Sequence, residues 1–406
     1  MRSRVERVEV LVVGGGPAGL SAARAVAAAG RETLVIERQP TIGEHVRTSG
    51  VTALETTERL GAPPELRHEV EHLRFCTRDE EVVLGLERRR LCVLDVRAFY
   101  RWLAEQARAA GAQVETDAAA TDVRRADSGL VECHLRRAGG EVSVVIASVV
   151  VDASGYRASV SRQTGLHTGF DRFGVGAEYE LEAPRISQKD AVLVLDESIA
   201  PAGYAWAFPW GEARVRLGVG LHHADVRDNP RVQLRTLHAN AGTFGLDLGG
   251  SAVRESHFGL IPAQGRAARV VADGLVAVGD AAGQGTLVVG EGIRTGIRAG
   301  EVAGDVIHSA LKRGSVSRDA LLPYETWCER ELGRSFRAAE VLNRRLSEFG
   351  DREWSSALRV LRGMPADLVL DLLESRFPRR RLLLWLVANP RTAWRSRSLR
   401  QAVLTR

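Results

Sequence analysis

The stretch that most restricts how this chain can fold is Val8–Glu37, VEVLVVGGGPAGLSAARAVAAAGRETLVIE. Val8–Val13 is a short, β-branched apolar run, the pattern of a strand buried on both faces. Gly14, Gly16 and Gly19 follow at G-x-G-x-x-G spacing. A helix-forming segment, Ala22 to Ala29, leads to a second apolar strand, Thr33–Ile36, which ends in Glu37. Gly14 permits the tight turn, Gly16 lets a pyrophosphate approach the backbone, and Gly19 lets the helix pack on the strand. The helix N-terminus offers unpaired N–H groups to phosphate. Glu37 stands about 20 residues on, where an acid takes a ribose hydroxyl. This unit specifies a dinucleotide site and leaves NAD or FAD open.

At 406 residues the chain has room for two or three structural units. Lysine and arginine total 56 against 51 acids, a net charge of +5, and only Lys189 and Lys312 are lysines. So small an excess is no footprint for nucleic acid. Cys76, Cys92, Cys133 and Cys328 lie far apart with no C-x-x-C pair, so no metal site is expected and a reducing cytosol fits. No run of about 18 apolar residues is present, so no spanning helix is expected.

After Glu37 comes a turn-rich loop, RQPTIGEHVRTSG, ending in Gly50. Ala53–Leu60 reads as helical, and Leu73–Thr77 and Glu81–Leu86 as short strands. Asp95 is placed to cap a helix that stops at Gly111. Strands Gln113–Thr116, Gly129–Arg136 and Val142–Val151 follow, the first two separated by a polar turn. From Phe173 to His222 the apolar period is near two, which predicts an antiparallel sheet with a hairpin turn at Pro209–Glu212. Val232–Ala241 reads as a helix of the same domain. Residues 317–406 look helical, interrupted at Pro365, Pro378 and Pro390.

The second informative segment is Leu275–Gly300, LVAVGDAAGQGTLVVGEGIRTGIRAG. A strand ends in Gly279-Asp280, and Gly290-Glu291-Gly292 opens a long helix. Asp280 can accept a hydroxyl of a polyol chain, and the helix start can face a group that becomes anionic. A flavin needs both, through its ribityl chain and the N1–C2=O edge that gains charge on reduction. NAD has no use for the second feature.

The Gly16-Pro17-Ala18-Gly19 fingerprint, Gly279-Asp280-Ala281-Ala282-Gly283 and Gly290-Glu291-Gly292-Ile293 together resemble the FAD-dependent geranylgeranyl reductase group. That group lies within the two-domain flavoproteins built like para-hydroxybenzoate hydroxylase. The resemblance runs over about residues 8–345, and Tyr204-Ala-Trp206-Ala-Phe208-Pro209 with Gly218-Val-Gly220 is similar to the group's Y-x-W-x-F-P…G-x-G pattern. Alternation puts Tyr204, Trp206 and Phe208 on one strand face, an aromatic wall suited to an isoprenoid chain or to a sheet core. The resemblance implies FAD contacts from Gly14, Gly16, Ala18, Gly19, Glu37, Arg38, Asp280, Gly292 and Ile293. It also places Arg47, Thr48, Ser49 and Gly50 beside the flavin. Ala120 rests on the resemblance alone.

The chain also departs from the group's pattern. Archaeal members often have an Arg-Cys pair where this chain reads Arg47-Thr48-Ser49-Gly50, so Thr48, Ser49 or a water would have to supply a proton. Where the group often has an arginine before its R-x-x-F phenylalanine, this chain has Val96 with Arg97 beside it, and Trp210 stands where many members have lysine. Other chemistries on this architecture are less well matched. Flavin hydroxylases have an Asp-Gly pair where Ser154-Gly155 stands, and halogenases use a tunnel lysine that neither Lys189 nor Lys312 is placed to provide. A reduced-flavin polyene cyclase or isomerase, a monooxygenase or halogenase, and a non-catalytic flavin carrier remain as alternatives.

The expectation is an α/β protein: a discontinuous Rossmann-like FAD domain (1–165 and 266–312), an antiparallel substrate domain (166–265) and a helical region (313–406). Its expected chemistry is reduction of carbon–carbon double bonds in a prenyl chain or other apolar polyene. An external electron donor such as NAD(P)H or ferredoxin would feed the flavin. Cytoplasmic location is expected, with peripheral membrane contact through 376–406 as an open reading. That segment repeats arginine, has no acidic residue, and carries Trp385 and Trp394 around an apolar run.

Overall fold

The computed structural model describes residues 4–126 and 129–389. Its first sheet is eight-stranded. The strand order is Val271–Ala272, Leu275–Ala277, Val142–Asp152, Arg4–Val13, Thr33–Ile36, Gln113–Glu115, with Val131–Arg136 and Ala119–Arg125 added as an antiparallel extension of Val142–Asp152. The fingerprint strand is central and pairs in parallel with Thr33–Ile36 on one side and Val142–Asp152 on the other. Val10, Leu11 and Val12 have no solvent exposure, as a doubly covered parallel strand requires.

Two helices cover one another beside this sheet, in close backbone contact. The helix Pro17–Ala28 follows the fingerprint turn, and the long helix Ile293–Lys312 returns from the far end of the chain. Gly296, Gly300 and Gly304 recur every fourth residue, so they share one face of the long helix. That face lies on Ala18, Ala22 and Ala25 so closely that a Cβ at Gly300 would sit 2.2 Å from the Ala18 carbonyl oxygen. Small residues thereby bring the starts of two helices to one place.

The second sheet has seven strands in the order Ala252–Pro262, Phe173–Glu182, Arg214–His223, Gly203–Pro209, Asp190–Val194, His72–Cys76, Glu81–Gly85. All pairs are antiparallel except Asp190–Val194 with His72–Cys76. One face packs on Leu234, Leu237 and Phe244, giving a small core of its own. The other face looks toward the first sheet and the C-terminal helices. These are Arg318–Cys328, Arg334–Leu346, Asp351–Arg362, Ala366–Leu373 and Arg379–Ala388.

Several expectations are corrected. The division at residue 165 is too simple, because His72–Cys76 and Glu81–Gly85 leave the first segment and pair into the second sheet. A strand, Ala119–Arg125, occupies the place read as a polar turn, and Ala252–Pro262 forms a strand the apolar pattern did not announce. Both are largely exposed, so little apolar alternation marks them. The fingerprint helix begins at Pro17, five residues before the expected start, because proline at its first position is already set for the helix. The arrest at Pro390, with Trp394 and the rest of the tail, lies outside the described residues.

Candidate functional site

Where the two sheets meet, a cavity of about 570 Å³ opens against the glycine fingerprint. Gly14, Gly16, Ala18, Gly19, Glu37, Arg38, Arg47, Thr48, Ser49, Ala120, Asp280, Gly292 and Ile293 all line it. Residues nearly three hundred positions apart are brought together by the helix pair described above. Gly50 does not line the cavity, and neither does Phe208.

The fingerprint end is shaped for a diphosphate. Gly14 has φ +119°, and a Cβ there would lie 2.2 Å from the Ala153 carbonyl oxygen, so only glycine makes this turn. A Cβ at Gly16 would meet nothing within 4 Å, which leaves the approach to the backbone open. The helix that follows has no side-chain cap and no acid in its first turn, so its N–H groups are available to an anion. Glu37 is held by the Gly15 and Gln39 amides, at 2.8 and 3.0 Å. Arg38, Arg47 and Arg157 crowd the mouth. Burial, then the guanidiniums of Arg157 and Arg47, push Arg38 below the usual arginine range, a repulsion that a bound diphosphate would relieve.

Asp280 sits at the other end, and its carboxylate has no hydrogen-bond partner among the described residues. Burial pushes it up to about 6. A walled-in carboxylate without donors needs hydroxyls, and a ribityl or ribose chain supplies them. Beside it Gly292 precedes the long helix, whose Arg294 amide is taken by Glu291 Oε1 at 2.7 Å, while Gly292 and Ile293 line the cavity at the helix's positive end. These residues fit FAD along its whole length.

The loop Arg47–Gly50 is pinned from both sides. Arg216, 1% exposed, donates from Nη1 to the carbonyls of Ser49 and Leu94, both at 2.9 Å. Gly259 lies so close that a Cβ there would be 2.5 Å from the Arg47 carbonyl oxygen. Thr48 and Ser49 therefore line the cavity on a fixed loop. No cysteine does. All four are buried elsewhere, and burial raises the thiols of Cys76, Cys92 and Cys133 to about 12.

The aromatic strand is only partly a wall. Tyr204, Trp206 and Phe208 do share a face, with successive ring centroids 5.7 and 6.2 Å apart. Tyr204 and Trp206 reach the cavity, but Phe208 is packed among Val93, Leu193 and the C-terminal helices instead. Tyr204 donates its hydroxyl to the Val289 carbonyl at 2.5 Å, and Trp206 Nε1 donates to Glu178 at 2.8 Å. The Gly218–Gly220 spacing now has a cause. The Trp206 indole lies flat on this strand, and a Cβ at Gly218 would be 2.2 Å from its ring.

A second, more apolar cavity of about 300 Å³ adjoins the first, their shared wall forming a neck between them. Tyr204, His222, Val288 and Val289 line both, and the rest of its wall includes Phe75, Leu195, Trp354, Leu361 and Met364. His222 stands in this neck, bonded through Nδ1 to the Ala202 carbonyl and through Nε2 to Asn343. Burial lowers it to about 4, so it is neutral at neutral pH and brings no charge into the neck. Sequence reasoning missed Glu178, Arg216, His222, His257 and the whole second cavity.

A glycine-fingerprint sheet, an antiparallel sheet over its mouth and a dinucleotide cavity between them define an FAD-dependent oxidoreductase. A family model described as FAD dependent oxidoreductase matches residues 9–192, and one described as geranylgeranyl reductase catalytic domain matches 174–242. Digeranylgeranylglycerophospholipid reductase 1 of Methanopyrus kandleri is 32% identical, over 85% of this chain and 92% of its own. Digeranylgeranylglycerophospholipid reductase 2 of Methanococcoides burtonii is 27% identical, over 94% and 95%. Among solved structures, a geranylgeranyl bacteriochlorophyll reductase-like protein of Thermoplasma acidophilum superposes with a TM-score of 0.84 at 25% identity, covering 94% of this chain and 100% of that one. The chain belongs to the digeranylgeranylglycerophospholipid reductase family of flavoproteins. It is a flavin-dependent oxidoreductase.

Proposed function

We propose that this enzyme saturates the double bonds of a prenyl lipid whose chain lies in the apolar cavity, its reacting bond at the neck by Tyr204 and Trp206. The observation that carries this reading is that the two cavities adjoin, with Tyr204, His222, Val288 and Val289 lining both. An apolar chain placed there has its bulk against leucine, methionine and tryptophan, and one bond at the flavin end. FAD, held as described, supplies the hydride chemistry. The protein binds the chain, orients one bond and keeps water out. An external reductant must reload the cofactor.

The decisive experiment is anaerobic turnover of dithionite-reduced protein with geranylgeranyl lipids, read by mass. Two hydrogens gained per bond support reduction, whereas product of unchanged mass points to cyclisation or isomerisation. Chain length gives a second check. Ala357 faces the apolar cavity, so Ala357→Trp should fill it. Turnover of geranylgeranyl chains is expected to fall by about tenfold or more, the equivalent of at least about 1.4 kcal/mol of lost chain binding. Shorter prenyl compounds should lose less, with the flavin spectrum unchanged.

Membrane contact is part of the same reading. On the helix Arg379–Ala388, Leu384 and Val387 are 71% and 78% exposed, next to an arginine-rich start. An apolar face flanked by arginines suits an anionic lipid surface. Leu384→Glu combined with Val387→Glu should weaken binding to anionic liposomes at low salt by roughly tenfold, equivalent to about 1.4 kcal/mol. Unchanged co-sedimentation would rule this surface out.

A further inference from the structure

The sheet face over the flavin cavity carries a connected chain of ionisable groups that the FAD and prenyl sites do not use. Strand register places His257, Glu178, Gly218 and Trp206 in one row across four strands. His257 Nδ1 lies 3.2 Å from Glu178 Oε1, and Trp206 Nε1 fixes the other carboxylate oxygen. On its far side His257 Nε2 lies 3.1 Å from Glu255 Oε2. Glu255 is gripped in turn by both terminal nitrogens of Arg97, at 3.1 and 2.5 Å. Glu178 and His257 line the cavity with side chains 5% and 6% exposed, while the Glu255 side chain is 42% exposed. One end of the line meets the cavity and the other meets water.

We propose that Glu255, His257 and Glu178 form the proton line of the reduction, with Glu178 as the acid that hands the proton to the alkene. The inference rests on the prenyl-reductase reading. Reduction adds one hydride and one proton across the double bond. The hydride carries both electrons and comes from the reduced flavin anion, which ends as oxidised FAD. The proton leaves the Glu178 carboxyl for the alkene carbon as the π bond breaks. Glu178 regains it from the His257 imidazolium at Nδ1, and the imidazole is reprotonated from water at the exposed end, with anionic Glu255 holding the ring in place.

The surroundings suit a relay. Burial pulls His257 down, but hydrogen bonds to Glu178 and Glu255, with the nearby charge of Glu180, more than offset it and hold the imidazole above its usual range. Glu255 is held low, first by its hydrogen bond to Arg97, so it stays anionic and anchors the outer end. Glu180 is raised by burial, and Arg216 is lowered by burial with its Nε 4.0 Å from Glu178 and 3.8 Å from Glu180. The other cavity hydroxyls are poor candidates. Thr48 Oγ1 accepts from the Gly50 amide and keeps its own proton, but alcohols are far weaker acids than a carboxyl or an imidazolium.

The test uses full-length holoenzyme and two readouts. His257→Gln is expected to lower kcat by about 10²-fold and to flatten its fall toward high pH, with FAD affinity and dithionite reduction unchanged. Independently of turnover, the His257 imidazole should titrate above the ordinary histidine range by ¹⁵N NMR. Glu178→Gln should shift that midpoint down by about one unit. A His257→Gln enzyme with the wild-type pH profile overturns the relay, as does an imidazole midpoint unmoved by Glu178→Gln. If His257→Gln does not fold, Glu255→Gln at the exposed end carries the same measurements, with about tenfold lower kcat expected. Wild-type protein that reduces no prenyl chain would count against the function reading, and the NMR titration would still test the coupling of the three groups.

Discussion

Replacing Gly300 by valine is expected to abolish FAD retention and to destabilise the fold by at least about 4 kcal/mol, among the larger costs a point substitution produces. A Cβ there would lie 2.2 Å from the Ala18 carbonyl oxygen and 3.0 Å from the Ala22 amide nitrogen. These are backbone atoms of a helix held by the central sheet, so no side chain can swing aside. The two helices would have to separate, and both of their N-termini face the cavity. Loss of flavin and loss of stability should therefore appear together. Gly242→Ala is a suitable control, since a Cβ there meets nothing within 4 Å. It should change stability by no more than about 0.5 kcal/mol. Melting temperature and flavin absorbance after purification measure both effects. A Gly300→Val protein that stays yellow and melts like wild type would show that the helix contact does not hold the site together.

The contrast between what the chain announces and what it conceals follows from the range of the forces. The fingerprint, Asp280 and the Gly292 helix start were legible because each depends on local backbone geometry within one turn or one helix end. The stripe Gly296, Gly300, Gly304 lay in plain sight, but its meaning depends on a partner helix nearly three hundred residues away. Phe208 was read with Tyr204 and Trp206 because alternation fixes the face of a strand. It does not say where along that face the cavity ends and the packed core begins. The two ends of the proton line, Glu178 and Glu255, were hidden for a similar reason. GVGAEYELE does show acids at alternate positions beside glycines, which was an available signal, but only the register with His257 turns them into a chain. The strand Ala252–Pro262 that supplies His257 is an exposed edge with little apolar period. The second cavity is walled by residues as far apart as Phe75, Leu193, His222, Val288 and Leu372, and no local pattern could have marked it.

Asp280 sets protein stability against cofactor binding, and the conflict predicts opposite responses to one substitution. In the FAD-free protein, burial holds its carboxyl at about 6 against an ordinary value of 3.8. A raised acid favours its neutral form in the fold, so this contribution is fully present below pH 3.8. It is lost as pH rises through about 6. At about 1.36 kcal/mol per unit the shift corresponds to roughly 3 kcal/mol, which water in the cavity reduces to about 1–2 kcal/mol. Asp280→Asn removes the titration. The FAD-free variant should thus be more stable than FAD-free wild type at pH 7.5, by about that amount, and the difference should vanish near pH 4. FAD binding should move the other way. A carboxylate accepting a hydroxyl makes a charge-assisted bond, and an amide oxygen makes a neutral one. Affinity is expected to fall by about tenfold to a hundredfold, since hydrogen bonds to charged groups are worth about 1.5–3 kcal/mol. Because the bound hydroxyl favours the ionised form, wild-type affinity should also rise with pH through about 6, and that dependence should be absent in Asp280→Asn. Melting curves of both FAD-free proteins from pH 4 to 8, with flavin fluorescence titrations at the same values, measure the two effects side by side. A stability difference that does not change with pH would mean that Asp280 is solvated in the empty site and that its strain is not what FAD binding relieves.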